Sequence, residues 1–225
     1  MPNRTRLVLF DVNGTLADLR GLLPRLRAAG AGDELLGEWF AGVLRDGFAL
    51  TAAGSRAEFA QVARDGLRGL LTGPDRPPHE AARAADDVVA GFGDLPAHDD
   101  VPSAVRALRA AGYRLATLTN GTAATSEAVA ERAGVGDCFE AHLDVAEARR
   151  WKPAPEAYAR ALETLRVSSG EALLVSAHPW DVHGARRAGL ATAWVHRSPT
   201  SYPTAMDAPD HEVASLDLLA GALCP

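Results

Sequence analysis

The chain has 225 residues, of which 47% are apolar and 23% charged, with a formal net charge of −6 at pH 7. That length supports one sizeable α/β domain or a core carrying a smaller insertion. Acidic and basic residues are interspersed rather than blocked, which favours neither nucleic acid nor an anionic membrane as partner, and no apolar run is long enough to span a bilayer.

The first element is a strand, RLVLF (6–10), that runs into Asp11 and breaks at Val12-Asn13-Gly14-Thr15. Its apolar run is too short for a signal peptide. The two cysteines, Cys138 and Cys224, lack metal-ligand spacing and read as free thiols, so a cytoplasmic location is expected. Helical patterns then follow at 21–30, 33–51, 56–71 and 79–92, with a turn-rich break at TGPDRPP (72–78). So long an interval without a strand exceeds any ordinary connection. The expectation is a helical cap domain over 18–97 inserted into an α/β core of 1–17 and 98–225. A module placed there would lie over the carboxyl ends of the strands, where such sheets bind ligands. Within it, Trp39, Phe40 and Phe48 read as cap core, one of them a candidate wall of a substrate pocket.

Beyond the insertion, Asp99-Asp100 is expected to begin a helix over 101–112. Strand YRLATLT (113–119) ends in Thr119-Asn120-Gly121 and leads to a helix over 123–134 and a weaker strand, EAHLDV (140–145). RRWKP then brings Lys152 ahead of a helix over 154–165 that carries Tyr158. Strand ALLVS (172–176) ends on Ser176, and AHPWD leads into a helix over 180–189. TAWVH (192–196) is the last strand, followed by a loop over 199–213 and a terminal helix over 215–223. Several helices finish in a glycine suited to a left-handed cap. The alternation predicts an α/β fold, a Rossmann-like, doubly wound parallel sheet core with an inserted α-helical cap.

A parallel sheet delivers every strand end to one edge. Asp11, Thr15, Thr119, Asn120, Lys152, Ser176 and Asp181 then meet as an acid, hydroxyls, an amide, an ammonium and a second acid. Lys152 is the sole lysine among 23 basic residues. A compact point charge, not a flat guanidinium fork, is wanted there.

This ordered set resembles the haloacid dehalogenase superfamily: DVNGT (11–15), Thr119-Asn120, Lys152-Pro153 and SAHPWD (176–181), with a helical insertion after the first motif. The resemblance implies that Asp11 attacks the substrate and forms an ester that water cleaves. Phosphatases of the superfamily carry an acid two residues after the nucleophile to protonate the leaving group, and two acids in a GDxxxD motif to help hold magnesium. Here those places hold Asn13, which has no proton to transfer, and Ala177. A halide leaves as a stable anion and needs neither. The chain is most similar to the L-2-haloacid dehalogenase subgroup, through Ser176, Trp180, Asp181, Tyr158 and the stretch ATAWVHRS (191–198).

That resemblance implies Thr15 and Thr119 as supports of Asp11 and Asn120 as a holder of the departing halide. It implies Lys152 and Tyr158 as orienting groups, and Ser176 with Asp181 as positioners of water. The substrate would be a small 2-haloacid, no cofactor or metal is expected, and a homodimer is common in the subgroup. Three positions depart from its pattern. Asn13 stands where an aromatic is usual, and His178 where an asparagine is, either filling the loop or acting as base. Glu38-Trp39-Phe40 replaces a Trp-Arg pair that grips the substrate. Arg45, flanked by Gly42 and Gly47, is either a substitute anion clamp or part of a solvated helix face. The other histidines, 79, 98, 142, 183, 196 and 211, show no metal spacing. The alternatives are a magnesium-dependent phosphatase of small metabolites, hydrolysis of an unrecognised substrate through the same Asp11 ester, and a retired binding protein. The intact Asp11, Lys152 and Asp181 weigh against the last.

Overall fold

The computed structural model describes residues 5–74 and 76–223. Residues 1–4, Asp75 of the TGPDRPP break and the expected free thiol Cys224 lie outside the described residues. The chain divides into two compact units, Met1–Asp18 with Pro96–Pro225, and Leu19–Leu95.

The first unit begins with β1 (Leu7–Phe10), four apolar residues that are all buried. The second unit is helical: α1 (Leu23–Ala28), α2 (Leu35–Ala52), α3 (Phe59–Leu71) and α4 (Pro78–Ala90), with 3-10 turns at Leu19–Leu22 and Gly91–Asp94. Its core follows helical spacing, with Trp39 and Val43 on α2, Phe59, Ala63 and Leu67 on α3, and Ala81, Ala85 and Val88 on α4. Phe92 lies edge-on to both Phe59 and Trp39, at 5.1 and 6.0 Å between ring centres.

The first unit resumes with α5 (Val101–Ala110), β2 (Arg114–Thr119), α6 (Ala123–Arg132), β3 (Ala141–Asp144) and α7 (Pro155–Leu165). It is completed by β4 (Ala172–Ser176), α8 (Pro179–Arg187), β5 (Ala191–Val195), β6 (His211–Val213) and α9 (Leu216–Leu223). All six strands are parallel, in the order β3-β2-β1-β4-β5-β6. Alternate residues Val8, Phe10, Leu173 and Val175 pack with Val105 and Leu108 of α5 and Leu216 and Leu219 of α9. Two helix ends turn on glycine at positive φ, Gly112 at 91° and Gly134 at 67°.

The sheet winds outward from β1 through β2 to β3, then returns to β4 on the other side of β1. The winding therefore reverses between β1 and β4, where open α/β sheets bind ligands. Phe10 pairs with Thr117 on one side and Val175 on the other, so Asp11 emerges between the ends of β2 and β4. β6 corrects the expected loop over 199–213. Three residues are too short to show a strand's alternation. Asp210, just before β6, fastens it by accepting from the Thr192 N–H at 2.9 Å.

Candidate active site

Asp11 follows β1, and its N–H donates to the Val175 carbonyl at 3.0 Å, which fixes the backbone against β4. Its carboxylate is shared between two donors. Lys152 Nζ lies 2.8 Å from Oδ1, and the Thr15 hydroxyl donates to Oδ2 at 2.6 Å. The same ammonium lies 2.8 Å from Asp181 Oδ2, so one fully buried cation bridges two buried carboxylates. Tyr158 closes the far side, its hydroxyl donating to Asp181 Oδ1 at 2.6 Å.

The electrostatics separate the two acids. Burial would raise the Asp11 carboxyl, but the Lys152 charge, the neighbouring His178 and the hydrogen bonds from Lys152 and Thr15 outweigh it and hold the group below the ordinary carboxylate range. Asp181 goes the other way: burial raises it, Lys152 opposes, and the negative charge of Asp11 adds to the rise. Burial would lower Lys152, yet the two carboxylates raise it, so the ammonium stays charged. Burial and Asp181 together push the Tyr158 phenol well above its ordinary range, which keeps it a donor. Of the two acids, Asp11, the one at the strand end, is therefore the more firmly held in its ionised form.

Hydrogen bonds at the other strand ends show what each side chain holds and revise the expected role of Thr119. Thr119 does not bond Asp11; its hydroxyl accepts the Gly121 N–H at 3.0 Å and closes the turn after β2. Ser176 does the same after β4, its hydroxyl oxygen accepting the His178 N–H at 3.1 Å. Strands that break into loops leave N–H groups in need of acceptors, and short hydroxyl side chains supply them. Asn120 faces the lysine segment. Its Oδ1 accepts the Lys152 N–H at 2.8 Å and its Nδ2 donates to the Lys152 carbonyl at 3.2 Å, a two-point clamp on the backbone of the bridging lysine. The Thr15 hydroxyl itself accepts the Ala177 N–H at 2.9 Å. The residue that replaces the first acid of GDxxxD thus orients the nucleophile's partner through its backbone.

His178 Nε2 lies 2.7 Å from the Asn13 carbonyl and 3.7 Å from Asp11 Oδ2. A carbonyl only accepts, so Nε2 carries hydrogen and faces Asp11 as a donor. The expected base role does not fit that nitrogen. The imidazole stacks on Trp180 at 5.2 Å, and Lys152 Nζ sits 5.9 Å from the Trp180 ring centre, within cation–π range. Asn13 is 6% exposed, and its side-chain Oδ1 is buried without a hydrogen-bond partner.

In the helical unit, Trp39 takes the cap-core reading and Arg45 that of a solvated helix face. Trp39 is core: it is buried, and its indole N–H donates to the Ala63 carbonyl at 2.8 Å. Arg45 is exposed and committed to Asp46, with Nε 2.7 Å from Oδ1, the geometry of a solvated ion pair rather than an anion clamp. Phe40 is half-buried on the same helix. A Cβ built on Gly42 would meet nothing within 4 Å, so close packing does not explain that glycine.

Two features of the site escaped sequence reasoning. Asp100 makes no side-chain cap to α5; it pairs instead with Arg197, whose guanidinium reaches the Thr15 carbonyl. Gly184 on α8 lets Pro153 and the Tyr158 hydroxyl pass within 2.5 and 2.8 Å of where its Cβ would lie. A signal existed for the arginine alone, as part of ATAWVHRS. Among the described residues no cluster of three or more His, Cys, Asp or Glu could hold a metal ion, and no helix is long and apolar enough to cross a membrane.

Comparison with known proteins agrees with this geometry. The haloacid dehalogenase-like hydrolase family matches residues 5–189. (S)-2-haloacid dehalogenase 2 of Pseudomonas sp. (strain CBS-3) is 30% identical over 220 residues, covering 97% of this chain and 95% of the relative. (S)-2-haloacid dehalogenase of Pseudomonas sp. (strain YL) is 30% identical over 213 residues, covering 93% and 90%. The solved L-2-haloacid dehalogenase of Xanthobacter autotrophicus with chloropropionic acid covalently bound superimposes with a TM-score of 0.85 at 25% identity, over 97% of this chain and 98% of that one.

Proposed function

The chain belongs to the haloacid dehalogenase-like hydrolase family, and from that premise we propose that it replaces the halide of a small 2-haloacid with hydroxyl, through an ester on Asp11 and without a metal ion. The observation that carries this reading is the buried ammonium of Lys152, 2.8 Å from both Asp11 and Asp181. It supplies the positive charge that keeps the nucleophile ionised. Asn13 fits the same chemistry, since halide departure needs no proton and an amide has none to give.

In the first step a carboxylate oxygen of Asp11 attacks the carbon bearing the halogen, the carbon–halogen bond breaks, and its electron pair leaves with the halide. In the second, water adds to the Asp11 carboxyl carbon and the ester's C–O bond breaks there; one of the water's protons goes to the departing oxygen, giving the hydroxy acid, and the other to solvent, restoring the Asp11 carboxylate. Lys152 and Thr15 hold the carboxyl group's two oxygens throughout, where they can stabilise the oxyanion that forms as water adds. Tyr158 fixes Asp181, Asn120 fixes the Lys152 backbone, and the (S)-2-haloacid relatives set the substrate class.

This sequence of bonds has an isotopic consequence. In a single turnover of 2-chloropropionate in heavy-oxygen water, the first lactate formed should be unlabelled, and the peptide bearing Asp11 should gain one heavy oxygen by mass spectrometry. Label in the first lactate would mean that water attacks the substrate directly, and the ester route would fall.

A further inference from the structure

Thr15 is pinned from two sides. Its hydroxyl binds Asp11 Oδ2, and its carbonyl accepts two hydrogen bonds from one guanidinium, Arg197 Nε at 3.2 Å and Nη2 at 3.0 Å. The other edge of that guanidinium forks onto Asp100, Nη1 to Oδ2 and Nη2 to Oδ1, each at 2.9 Å. Asp100 Oδ2 in turn accepts the Leu216 N–H at 2.8 Å, at the first residue of α9. Both side chains are largely withdrawn from solvent, Arg197 15% and Asp100 13% exposed. Residues 12–17 around Thr15 are tightly folded, with the N–H groups of Thr15, Leu16 and Ala17 all donating to the Val12 carbonyl. Inside so compact a turn, a shift of the Thr15 carbonyl carries its side chain with it.

We propose that Arg197 is a positioning residue for the nucleophile: held by Asp100, it fixes the Thr15 carbonyl and thereby the angle at which the Thr15 hydroxyl meets Asp11. The role rests on the Asp11 ester reading above. It calls for an arginine, because four hydrogen bonds along one plane match a fork and not the single point of an ammonium. It also gives Asp100, expected only to start a helix, a place in the site's support. The nucleophile is then braced at one oxygen by a buried lysine and at the other by a chain running Thr15, Arg197, Asp100 to α9.

The test is single-turnover halide release from 2-chloropropionate, which stays measurable in slow variants, read alongside thermal stability. Arg197→Ala should lower the rate about tenfold to a hundredfold, the scale of a small misplacement of a reacting group, with KM nearly unchanged. Millimolar guanidinium should restore much of the rate, and methylammonium should not. Arg197→Lys keeps the charge and the folding, yet should show a similar loss. In a Thr15→Val background, Arg197→Ala should change the rate by less than about twofold, since groups acting through one partner are not additive. Equal losses in the wild-type and Thr15→Val backgrounds, or a full rate in folded Arg197→Lys, would overturn the proposal while leaving the ester route standing. A wild-type protein that releases no halide from any 2-haloacid would remove the proposed function and this inference with it.

Discussion

Asp11 and Asp181 sit on the same ammonium, yet their carboxyls are driven in opposite directions, and that difference favours Asp11 for the nucleophile's part in the proposed reaction. Burial is the largest influence on each. At Asp11 it is outweighed by Lys152, His178 and Thr15; at Asp181 it is reinforced by the charge on Asp11. The folded-state Asp11 carboxyl lies below its unfolded value, so its ionisation contributes stability that is fully present above the unfolded pKa and lost as pH falls through the folded one. Asp181 has the opposite sign, contributing most when protonated and losing that contribution as pH rises through its folded pKa. Attack requires only Asp11 to be ionised. In the wild type, kcat measured downward from pH 8 should therefore hold to below about pH 4, the ordinary carboxylate value. An acid limb centred at about pH 5–6, above that ordinary range, would show that the ionised form is not favoured as the geometry requires. The importance of Lys152 was legible because it is the sole lysine in the sequence. The duties of Thr119, Ser176 and Asn120 were not, because a strand-end hydroxyl or amide looks the same whether it faces a substrate or closes a turn.

Helix α8 shows why element boundaries are readable while their contacts are not. Its start at Pro179 and its end near Gly189 follow from proline and glycine alone. Nothing local marks Gly184, yet a Cβ there would meet the Pro153 ring at 2.5 Å, the Tyr158 hydroxyl at 2.8 Å and the Pro153 carbonyl at 2.9 Å. The missing side chain lets the segment carrying Lys152 close onto the helix carrying Asp181, which brings the Tyr158 hydroxyl within reach of Asp181 Oδ1 and of its backbone carbonyl. Gly184→Ala should therefore cost about 1–3 kcal/mol, the usual penalty of overpacking, and lower kcat as Tyr158 and Lys152 shift. Urea unfolding and steady-state halide release would measure the two effects, and an unaltered kcat would show that the close approach is packing alone. The same limit left the partners of other side chains unread. Trp39 and Arg45 lie on a correctly placed helix, but the spacing of α2 could not reveal that Ala63 takes the indole N–H or that Asp46 takes the guanidinium. β6, only three residues long, owes its existence to pairing with β5 rather than to its own pattern.

At the scale of the molecule, the winding of the sheet assembles the chemistry. β1 lies between β2 and β4, so residues more than a hundred positions apart, Asp11 and Lys152 among them, meet at one edge. That convergence was legible from the sequence because parallel strands separated by helices leave little choice about which ends gather. Less accessible was the support behind the edge, where Arg197 and Asp100 tie the first turn to the last helix. In the proposed reaction Lys152, not a metal ion, charges and orients an Asp11 that forms an ester with a haloacid. It is tested most directly by halide release from 2-chloropropionate with excess EDTA, in wild type and in Asp11→Asn. The account predicts release that EDTA does not diminish and that the substitution abolishes. Release that requires magnesium, or that survives in Asp11→Asn, would contradict it.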